Sequence, residues 1–515
     1  MLSRVISASI MGIEAITIQV EVDLARGLPA FDIVGLPDAA VRESKERVRA
    51  AVKNAGYEFP VQRITINLAP GDIKKYGSHY DLAIAVGILA AGGLIKDEIL
   101  KKYLIAGELS LTGELRKVKG VLPMTLKARE EGLDGIVVPP ENYQEASLVE
   151  GIEALPARTL NEAVEYLRYK RQIDAPLSVR VSSNNKKKEK AKSQALDFAE
   201  VKGQQEAKRA LQIAAAGSHN MLMIGPPGSG KTMLARRLGT ILPPLTREEA
   251  LELTKIYSIM GLIDTGEGLI RKRPFRAPHH SISTAGLIGG GKIPEPGEVS
   301  LAHIGTLFLD ELPEYHRDVL EMLRQPLEEG EVTIVRSSMS ATFPADFMLV
   351  TAMNPCPCGY YGDDRHTCRC TPGQINRYRS RVSGPLLDRI DIHIEVPALK
   401  VEEITGEIKN SAENSATMRE RVMAAHERQV ERYSEEHFNF NSQLKGKKLK
   451  KYCLLDDESV FLMKDAIDRL GLSARAYDRI LRLSRTIADM EGSEYIKSHH
   501  VAEAIQYRSL DRKVY

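Results

Sequence analysis

The feature that most constrains this chain is a glycine-rich segment between an apolar run at residues 221–224 and helical spacing at residues 233–242. Its residues are Gly225, Pro226, Pro227, Gly228, Ser229, Gly230, Lys231 and Thr232. In the pattern G-x-x-x-x-G-K-T, backbone N–H groups surround a phosphate, the lysine reaches the β- and γ-phosphates, and the threonine hydroxyl ligates Mg²⁺. The following helix directs its positive dipole end at the same phosphates. The segment therefore predicts a site for ATP and Mg²⁺ formed by all eight residues, with Lys231 also acting in catalysis.

Length and composition indicate a soluble globular protein with several domains. The 515 residues give room for three or four domains. A net charge of +2 predicts no general affinity for polyanions, so any nucleic-acid surface must be local. Five cysteines, four of them crowded together, favour a reducing compartment. The N-terminus lacks an export signal pattern, and the longest apolar run, at residues 82–95, predicts a buried helix too short to span a bilayer. We expect a cytoplasmic protein without membrane association.

Residues 1–168 alternate between strand-like segments (16–22, 63–68, 135–138), helix-like segments (38–55, 123–132) and a hairpin (104–115), which predicts a mixed α/β domain. Residues 75–83 and 107–113 resemble the Lon-protease-like domain. Where the active peptidases have a serine and a lysine, this sequence has His79 and an apolar residue near Leu122. We expect a scaffold or docking domain without protease activity; the alternative is that Ser78 and Lys119 form a substitute catalytic pair.

Composition divides the remainder of the chain. Residues 169–195 include a polar, lysine-rich stretch without periodicity, which predicts a flexible basic linker whose lysines either contact DNA or are simply solvated. Residues 196–400 carry the nucleotide motifs and are expected to form an ATPase core. Residues 401–515 are charged and helical in pattern, and are expected to form a C-terminal helical domain.

Two further strands are predicted to bring polar groups to the nucleotide. The apolar strand at residues 306–309 ends in Asp310 and Glu311, and carboxyl ends of parallel strands are where ligands bind in open α/β sheets. Asp310 is expected to hold Mg²⁺ and Glu311 to activate the attacking water. A strand at residues 347–352 precedes Asn354, whose amide either orients water against the γ-phosphate or begins a turn before Pro355.

Four cysteines form two closely spaced pairs, Cys356 with Cys358 and Cys368 with Cys370. Two thiol pairs facing each other across a short loop suit a tetrahedral zinc site, which would be structural because four sulfur ligands leave no open coordination position. Unmetallated thiols or a redox disulfide are the alternatives, and His366 is a possible replacement for one thiol. Cys453 stands apart and is predicted to be buried.

Two arginines follow the cysteines. Arg389, in the segment at residues 384–391, can reach the γ-phosphate of a neighbour if the chain forms a ring; the alternative is a local ion pair with Asp388 or Asp391. Arg475 falls in the first turn of a helix with Ser473 as its N-cap, where a cation opposes the helix dipole. That position favours an anionic partner such as the nucleotide, against a solvated surface arginine.

Together these residues resemble the AAA+ ATPases, and among them the magnesium-chelatase-like YifB/ComM family. The resemblance is carried by the Lon-like segments, residues 197–204, the phosphate loop, residues 273–280, the paired cysteines and residues 472–481. It implies an AAA+ parallel-sheet core with a C-terminal helical lid. It also implies the following roles: Asp310 and Glu311 as the Walker B pair, Asn354 as sensor 1, Arg389 as the arginine finger with Arg381 as a second candidate, and Arg475 as sensor 2.

The resemblance further implies a hexameric, ATP-driven motor that moves on single-stranded or branched DNA and promotes branch migration during recombination of transforming DNA. Candidate DNA contacts are residues 271–276, 286–292 and 331–343; the alternative is that they are ordinary surface loops. A second hypothesis is a magnesium-chelatase-like motor that remodels a protein partner. A third, a binding scaffold with a silent nucleotide site, is weakened because Lys231, Asp310 and Glu311 are all present.

Overall fold

The computed structural model describes residues 1–170, 196–264, 268–336, 339–398, 413–436 and 438–508. The chain folds into two compact units, the first formed by Met1–Lys192 and Arg247–Ile270 and the second by Ser193–Thr246 and Arg271–Tyr515. Most of the predicted linker (171–195) and the start of the predicted C-terminal domain (401–412) lie outside the described residues. Within the described ranges, no helix has the length and apolar character needed to cross a membrane.

The first unit is built on a seven-stranded mixed sheet. The strands of this unit are β1 (Leu2–Met11), β2 (Glu14–Ala25), β3 (Ala30–Val34), β4 (Arg63–Ala69), β5 (Tyr103–Ile105), β6 (Glu108–Leu109), β7 (Leu115–Arg116), β8 (Gly135–Val138) and β9 (Glu153–Pro156). The order in the sheet is β3-β4-β2-β1-β5-β8-β9, while β6 and β7 form a separate hairpin. The predicted hairpin at residues 104–115 is therefore divided, because its first residues join the main sheet.

Helices cover this sheet. They are Ala39–Asn54, Asp81–Ala91, Asp97–Leu100, Val121–Glu130, Tyr143–Ala146 and Leu160–Tyr169. Asp38 caps the first of them by accepting the N–H of Val41 at 2.8 Å. Helix Asp81–Ala91 is buried along its whole length. This confirms the buried helix that the apolar run predicted.

The first unit also contains a helix that lies between the two nucleotide motifs in sequence, Arg247–Met260. Its Ser258 donates its hydroxyl to the buried Glu145, and the N–H of Gly120 donates to the backbone oxygen of Ser258 at 3.0 Å. Residues 196–400, predicted from the sequence as one core, therefore divide between the two units. Local sequence patterns carry no information about which sheet a helix of this kind packs against.

The second unit is built on a five-stranded sheet and two hairpins. Its strands are β10 (Met221–Ile224), β11 (Phe275–Arg276), β12 (Gly289–Gly290), β13 (Glu295–Pro296), β14 (Thr306–Leu309), β15 (Glu331–Arg336), β16 (Met339–Pro344), β17 (Met348–Met353) and β18 (Ile392–Glu395). The sheet has the order β11-β14-β17-β10-β18, and all its strands are parallel. Their carboxyl ends therefore meet at one edge, where an open parallel sheet binds its ligand.

The C-terminal part of this unit is helical, as predicted. Helices Ser415–Arg432, Gly446–Tyr452, Asp457–Leu470, Ala474–Glu491 and Ser498–Gln506 follow the sheet in sequence. Apolar side chains of these helices, such as Ile480 and Leu483, belong to the same hydrophobic cluster as Met221 and Val350 of the sheet. The α/β architecture with a parallel core and helical C-terminal region is thereby confirmed.

Candidate active site

The phosphate loop joins β10 to helix Lys231–Arg237. Gly228 and Gly230 have φ angles of +77° and +90°, a conformation that favours glycine. At Gly225 a Cβ atom would lie 2.1 Å from the backbone oxygen of Val396, so any side chain there would collide with the end of β18. The glycines therefore fix both the curvature of the loop and its close approach to the sheet.

Lys231 lies inside the loop and is mostly buried. Its Nζ donates to the backbone oxygens of Gly225 at 2.7 Å and Pro226 at 2.9 Å, and to Oδ1 of Asn354 at 3.4 Å. Burial lowers the pKa of Lys231, while the nearby charge of Asp310 opposes that shift. The structure thus brings together Lys231 and Asn354, which are separated by more than a hundred residues in sequence and were predicted to share one site.

Thr232 and Asp310 are also in direct contact, because the Thr232 hydroxyl donates to Oδ2 of Asp310 at 2.6 Å. A hydroxyl and a carboxylate are the hard oxygen ligands that Mg²⁺ prefers, so the donor set fits this ion. Glu311 follows with a left-handed φ of +53°, which is strained for a glutamate, and its side chain is 58% exposed. The carboxylate of Glu311 is therefore accessible to a water molecule at the carboxyl edge of the sheet.

Sequence reasoning missed His280 as a neighbour of Glu311. The Nδ1 atom of His280 lies 3.6 Å from Oε2 of Glu311. The hydroxyl of Tyr315 donates to the backbone oxygen of Pro278 at 2.6 Å, which fixes the segment that carries the histidine. The sequence does carry a signal here, because residues 273–280 are one of the segments on which the family resemblance depends.

The two candidate finger arginines lie at different places. Arg381 is 52% exposed and pairs with Oε2 of Glu314 at 3.1 Å, three residues after Glu311. Arg389 is 3% exposed, and Asn220, which precedes β10, donates its side-chain amide to the backbone oxygen of Arg389 at 3.1 Å. Arg389 therefore lies at the amino edge of the sheet, opposite to the phosphate loop of the same chain, whereas Arg381 lies near the acidic pair.

Arg475 lies near Arg389, since both guanidinium groups contact the carboxylate of Glu328. Ser473 caps the helix of Arg475 as predicted, accepting the N–H of Ala476 at 3.2 Å. The residues predicted to act on the nucleotide therefore form two groups. One surrounds the phosphate loop, and the other combines Arg389 with Arg475.

The four paired cysteines converge. The Sγ atom of Cys356 lies 3.4 Å from that of Cys358 and 3.7 Å from that of Cys368, and Cys370 completes a group whose sulfur atoms all lie within 4.8 Å of one another. Four sulfurs at about 2.3 Å from a tetrahedral zinc ion are about 3.8 Å apart, so the group fits zinc. All five cysteines are thiols rather than disulfides. Backbone hydrogen bonding, foremost from Tyr360, lowers the pKa of the Cys358 thiol to about 6, whereas the pKa of Cys370 is raised to about 12, so Cys358 ionises before Cys370.

The loop between the cysteine pairs touches the phosphate loop. Gly359 has a φ of +88°, and a Cβ atom there would lie 2.6 Å from Cδ of Pro227. Arg379 donates its Nε to the backbone oxygen of Pro355, next to Asn354, at 3.1 Å. The cysteine group is thus positioned to support both the phosphate loop and Asn354.

A second group with metal-ligating atoms, formed by Glu491, His499 and His500, fits a metal poorly. The backbone N–H of Lys497 donates to Nδ1 of His500 at 2.9 Å, so in the neutral ring the proton is on Nε2. That Nε2 lies 3.0 Å from Glu491 and serves as a hydrogen-bond donor to it. The atom a metal would need is therefore protonated.

The candidate DNA-contacting segments differ in their contacts. In the segment at residues 271–276, Arg273 donates to the backbone oxygens of Pro243 and Ile304, and Arg276 pairs with Glu298 at 2.6 Å, so both stabilise the fold. The hairpins β12–β13 and β15–β16 lie side by side, because Nε of Arg336 donates to the backbone oxygen of Gly291 at 3.2 Å. Residues 337–338, between β15 and β16 in sequence, lie outside the described residues.

In the first unit, the predicted positions of the protease pair hold other interactions. The Ser78 hydroxyl donates to the carboxylate of Glu108, and Nε2 of His79 bonds to the backbone oxygen of Ala8 at 2.8 Å. Burial lowers the pKa of His79 to about 4, so this imidazole is neutral at pH 7. Leu122 is fully buried. An apolar side chain there cannot act as the general base.

A parallel sheet with a phosphate loop after one strand and an acidic pair after another defines a protein of the P-loop nucleoside-triphosphate-binding class. Three protein-family models match the chain and identify its family. "Magnesium chelatase, subunit ChlI" matches residues 197–404, "Subunit ChlI of Mg-chelatase" matches residues 20–142, and "Magnesium chelatase, subunit ChlI C-terminal" matches residues 412–508.

Several relatives are similar over nearly the whole chain, including the following two. The uncharacterized protein YifB of Salmonella typhimurium is 44% identical over 502 residues, covering 98% of this chain and 96% of the relative. Competence protein ComM of Haemophilus influenzae is 45% identical over 514 residues, covering 99% and 98%. The chain belongs to the magnesium-chelatase-like AAA+ family, in the group that contains YifB and ComM. The expected Lon-like character is also found: Lon protease 2 of Bacillus subtilis is 27% identical over 146 residues, which are 27% of this chain and 26% of that protein.

Proposed function

We propose that this chain is an ATP-hydrolysing motor that assembles as a hexameric ring, moves on single-stranded or branched DNA, and promotes branch migration during recombination of transforming DNA. The main support for a ring is that Arg389 lies at the sheet edge opposite to the phosphate loop of its own chain. Similarity to a competence protein over 99% of the chain supports the role in recombination. Such a role implies a cytoplasmic protein.

Residues of one chain bind and activate the nucleotide. Lys231 and the loop N–H groups hold the β- and γ-phosphates, and Thr232 with Asp310 holds Mg²⁺, which when bound neutralises charge on the phosphate oxygens. Glu311 orients the attacking water and accepts its proton. The amide of Asn354, which lies next to Lys231, contacts the γ-phosphate.

A second copy supplies the positive charge that hydrolysis requires. Phosphoryl transfer gains its rate mainly from charge stabilisation, and an arginine at the γ-phosphate contributes several orders of magnitude. Arg389 and Arg475 lie together around Glu328, so they are suited to enter the neighbour's site as a pair. A heterologous contact of this kind closes into a ring when each copy repeats it.

The adjacent hairpins β12–β13 and β15–β16 are the best-supported DNA contacts. They bring Lys292 and Arg336 to neighbouring positions, and glycines at 289–291 permit close approach to a phosphate backbone. Basic side chains on such hairpins suit binding to the DNA phosphate backbone independently of base sequence. The four cysteines bind zinc structurally, and the ion stabilises the loop that supports Pro227.

A protein-remodelling motor is the second candidate. The match of magnesium-chelatase subunit models to all three parts of the chain favours it. In that case the same ATPase site operates, but a protein partner rather than DNA stimulates turnover.

The rate of ATP hydrolysis by the purified full-length chain, measured without DNA, with single-stranded DNA and with forked DNA, separates the two candidates. We expect DNA to stimulate turnover, and ATP but not a non-hydrolysable analogue to drive branch migration. The Glu311→Gln variant serves as the inactive control. Turnover that is indifferent to both DNA forms would contradict the DNA motor and favour the remodelling motor.

A further inference from the structure

One carboxylate connects the two arginines that the proposed function assigns to a neighbouring site. Glu328 lies near the end of helix Arg324–Glu329, and its Oε1 atom contacts Nη2 of Arg389 and lies 3.7 Å from Nη2 of Arg475. The same oxygen is therefore shared by two guanidinium groups that are 86 residues apart in sequence. Two arginines around one anionic oxygen resemble the way arginines surround a phosphate oxygen.

The surroundings of Glu328 contain more positive than negative charge. Arg324 lies one turn earlier on the same helix and pairs with Glu321 at 3.0 Å. Burial lowers the pKa of Arg389; the charge of Glu328 opposes this shift, and the charges of Arg324 and Arg475 add to it. Within the described part of the chain, the buried Nε of Arg389 has no hydrogen-bond partner. The site therefore has an unused donor and a charge excess that an incoming anion with several oxygens can satisfy.

The backbones around this site are anchored, so only side chains need to move. Arg479 donates to the backbone oxygen of Arg389 at 2.9 Å, and Lys445 donates to the backbone oxygen of Glu328 at 2.6 Å. The side chain of Glu328 is 47% exposed, so it can rotate into solvent. Exchange of the carboxylate for a phosphate therefore requires rotation of Glu328 and outward movement of the Arg389 side chain, which is 3% exposed, while the backbone stays in place.

We propose that Glu328 is a positioning residue that substitutes for a phosphate. In the unassembled chain it holds Arg389 and Arg475, and on assembly it releases both to the terminal phosphate of ATP bound to a second copy. The proposal rests on the proposed function and adds that the Glu328 carboxylate competes with the terminal phosphate of ATP for the two arginines. Each chain keeps its own arginines paired until a nucleotide-loaded neighbour arrives. Glu328 thereby raises the protein concentration at which shared sites form.

The test is the rate of ATP hydrolysis as a function of protein concentration at saturating ATP. Glu328→Gln keeps the side-chain size and removes the competing charge. We expect its half-maximal protein concentration to fall about threefold to fivefold, because the Glu328 carboxylate is about half exposed and solvent screens its attraction to the arginines. We expect the maximal rate to stay unchanged. Glu328→Asp, which withdraws the charge by one methylene, changes the half-maximal concentration in the same direction by less.

Glu329→Gln is the matched control, since Glu329 bonds to Gln325 at 2.8 Å rather than to the arginines. The Glu329→Gln variant is expected to behave as wild type. In an Arg389→Ala background, Glu328→Gln is expected to cause no fall in the half-maximal protein concentration. An unchanged half-maximal concentration, or a lower maximal rate, in Glu328→Gln would overturn the proposal while wild-type turnover still supports the ATPase. Absence of turnover in the wild type at every concentration would instead contradict the proposed function.

Discussion

The side-chain amide of Asn220 donates to the backbone oxygen of Arg389 at 3.1 Å. Asn220 directly precedes β10, whereas the phosphate loop directly follows it. A four-residue strand extends about 13 Å at about 3.3 Å per residue, so the two ends of β10 belong to opposite edges of the sheet. ATP hydrolysis that uses Arg389 therefore requires a second copy of the chain.

The first prediction separates the two candidate fingers. Arg389→Ala should lower the maximal rate of ATP hydrolysis about a thousandfold, because the transition-state charge loses its arginine. Arg381→Ala should change that rate by less than about threefold, because its exposed pair with Glu314 is a weak surface interaction. Thermal midpoints are measured in parallel because Arg389 is buried. The reverse ranking of the two variants would assign the finger to Arg381.

The second prediction concerns Glu311. Glu311→Gln keeps the shape of the side chain but cannot accept a proton, so turnover should fall by about a hundredfold to ten-thousandfold. ATP affinity, measured by equilibrium binding, should stay close to that of the wild type because Lys231, Thr232 and Asp310 are intact. Retained turnover in this variant would remove Glu311 from its catalytic role.

The third prediction concerns zinc. Protein purified without chelators should contain about one zinc ion per chain, and Cys358→Ser should lose it because a tetrahedral site then lacks one of its four ligands. ATP affinity should also decrease, since Gly359 of the same loop packs against Pro227. Cys453→Ala, which alters a buried cysteine outside the group, is the control and should retain the metal. Elemental analysis that finds no zinc in wild-type protein would refute the site.

The fourth prediction concerns the pH dependence of stability in the first unit. The pKa of His79 is lowered to about 4 in the folded state, chiefly by burial, and is about 6.5 when the chain is unfolded. The unfolded state therefore binds more protons between these values, and stability is lost as pH falls from about 6.5 to about 4, by up to about 3 kcal/mol.

His79→Gln should remove this part of the pH dependence. Scanning calorimetry of the full chain measures the loss of stability between pH 7 and pH 5 in wild type and in the variant, and the difference between the two losses is the contribution of His79. The difference isolates His79 from Asp81 and Glu145, whose pKa values are raised by burial and which act in the opposite direction. An equal loss of stability in both proteins would show that His79 does not contribute.

The nucleotide-binding core could be predicted from the sequence because local patterns determine it. The strand predicted at residues 221–224 matches β10, and the strand predicted at residues 306–309 matches β14, with Asp310 and Glu311 directly after it. Parallel strands bring their carboxyl ends to one edge, so the proximity of Lys231, Thr232, Asp310 and Asn354 followed from the order of the motifs.

Other features depend on packing between distant segments and could not be predicted in this way. Helix Arg247–Met260 has an ordinary helical pattern, yet its Ser258 bonds to Glu145 of the first unit. The contact of His280 with Glu311 and the sharing of Glu328 by two arginines likewise join residues whose spacing in sequence carries no signal.

The most direct test of the shared ATPase site is subunit complementation. Glu311→Gln and Arg389→Ala, each nearly inactive alone, are mixed in equal amounts, and ATP hydrolysis is measured. Sites that combine an intact Glu311 with an intact Arg389 from the neighbouring copy then form at random, so we expect about a quarter of the wild-type rate. A rate equal to the sum of the two separate variants would contradict the account, because each chain would then hydrolyse ATP with its own residues.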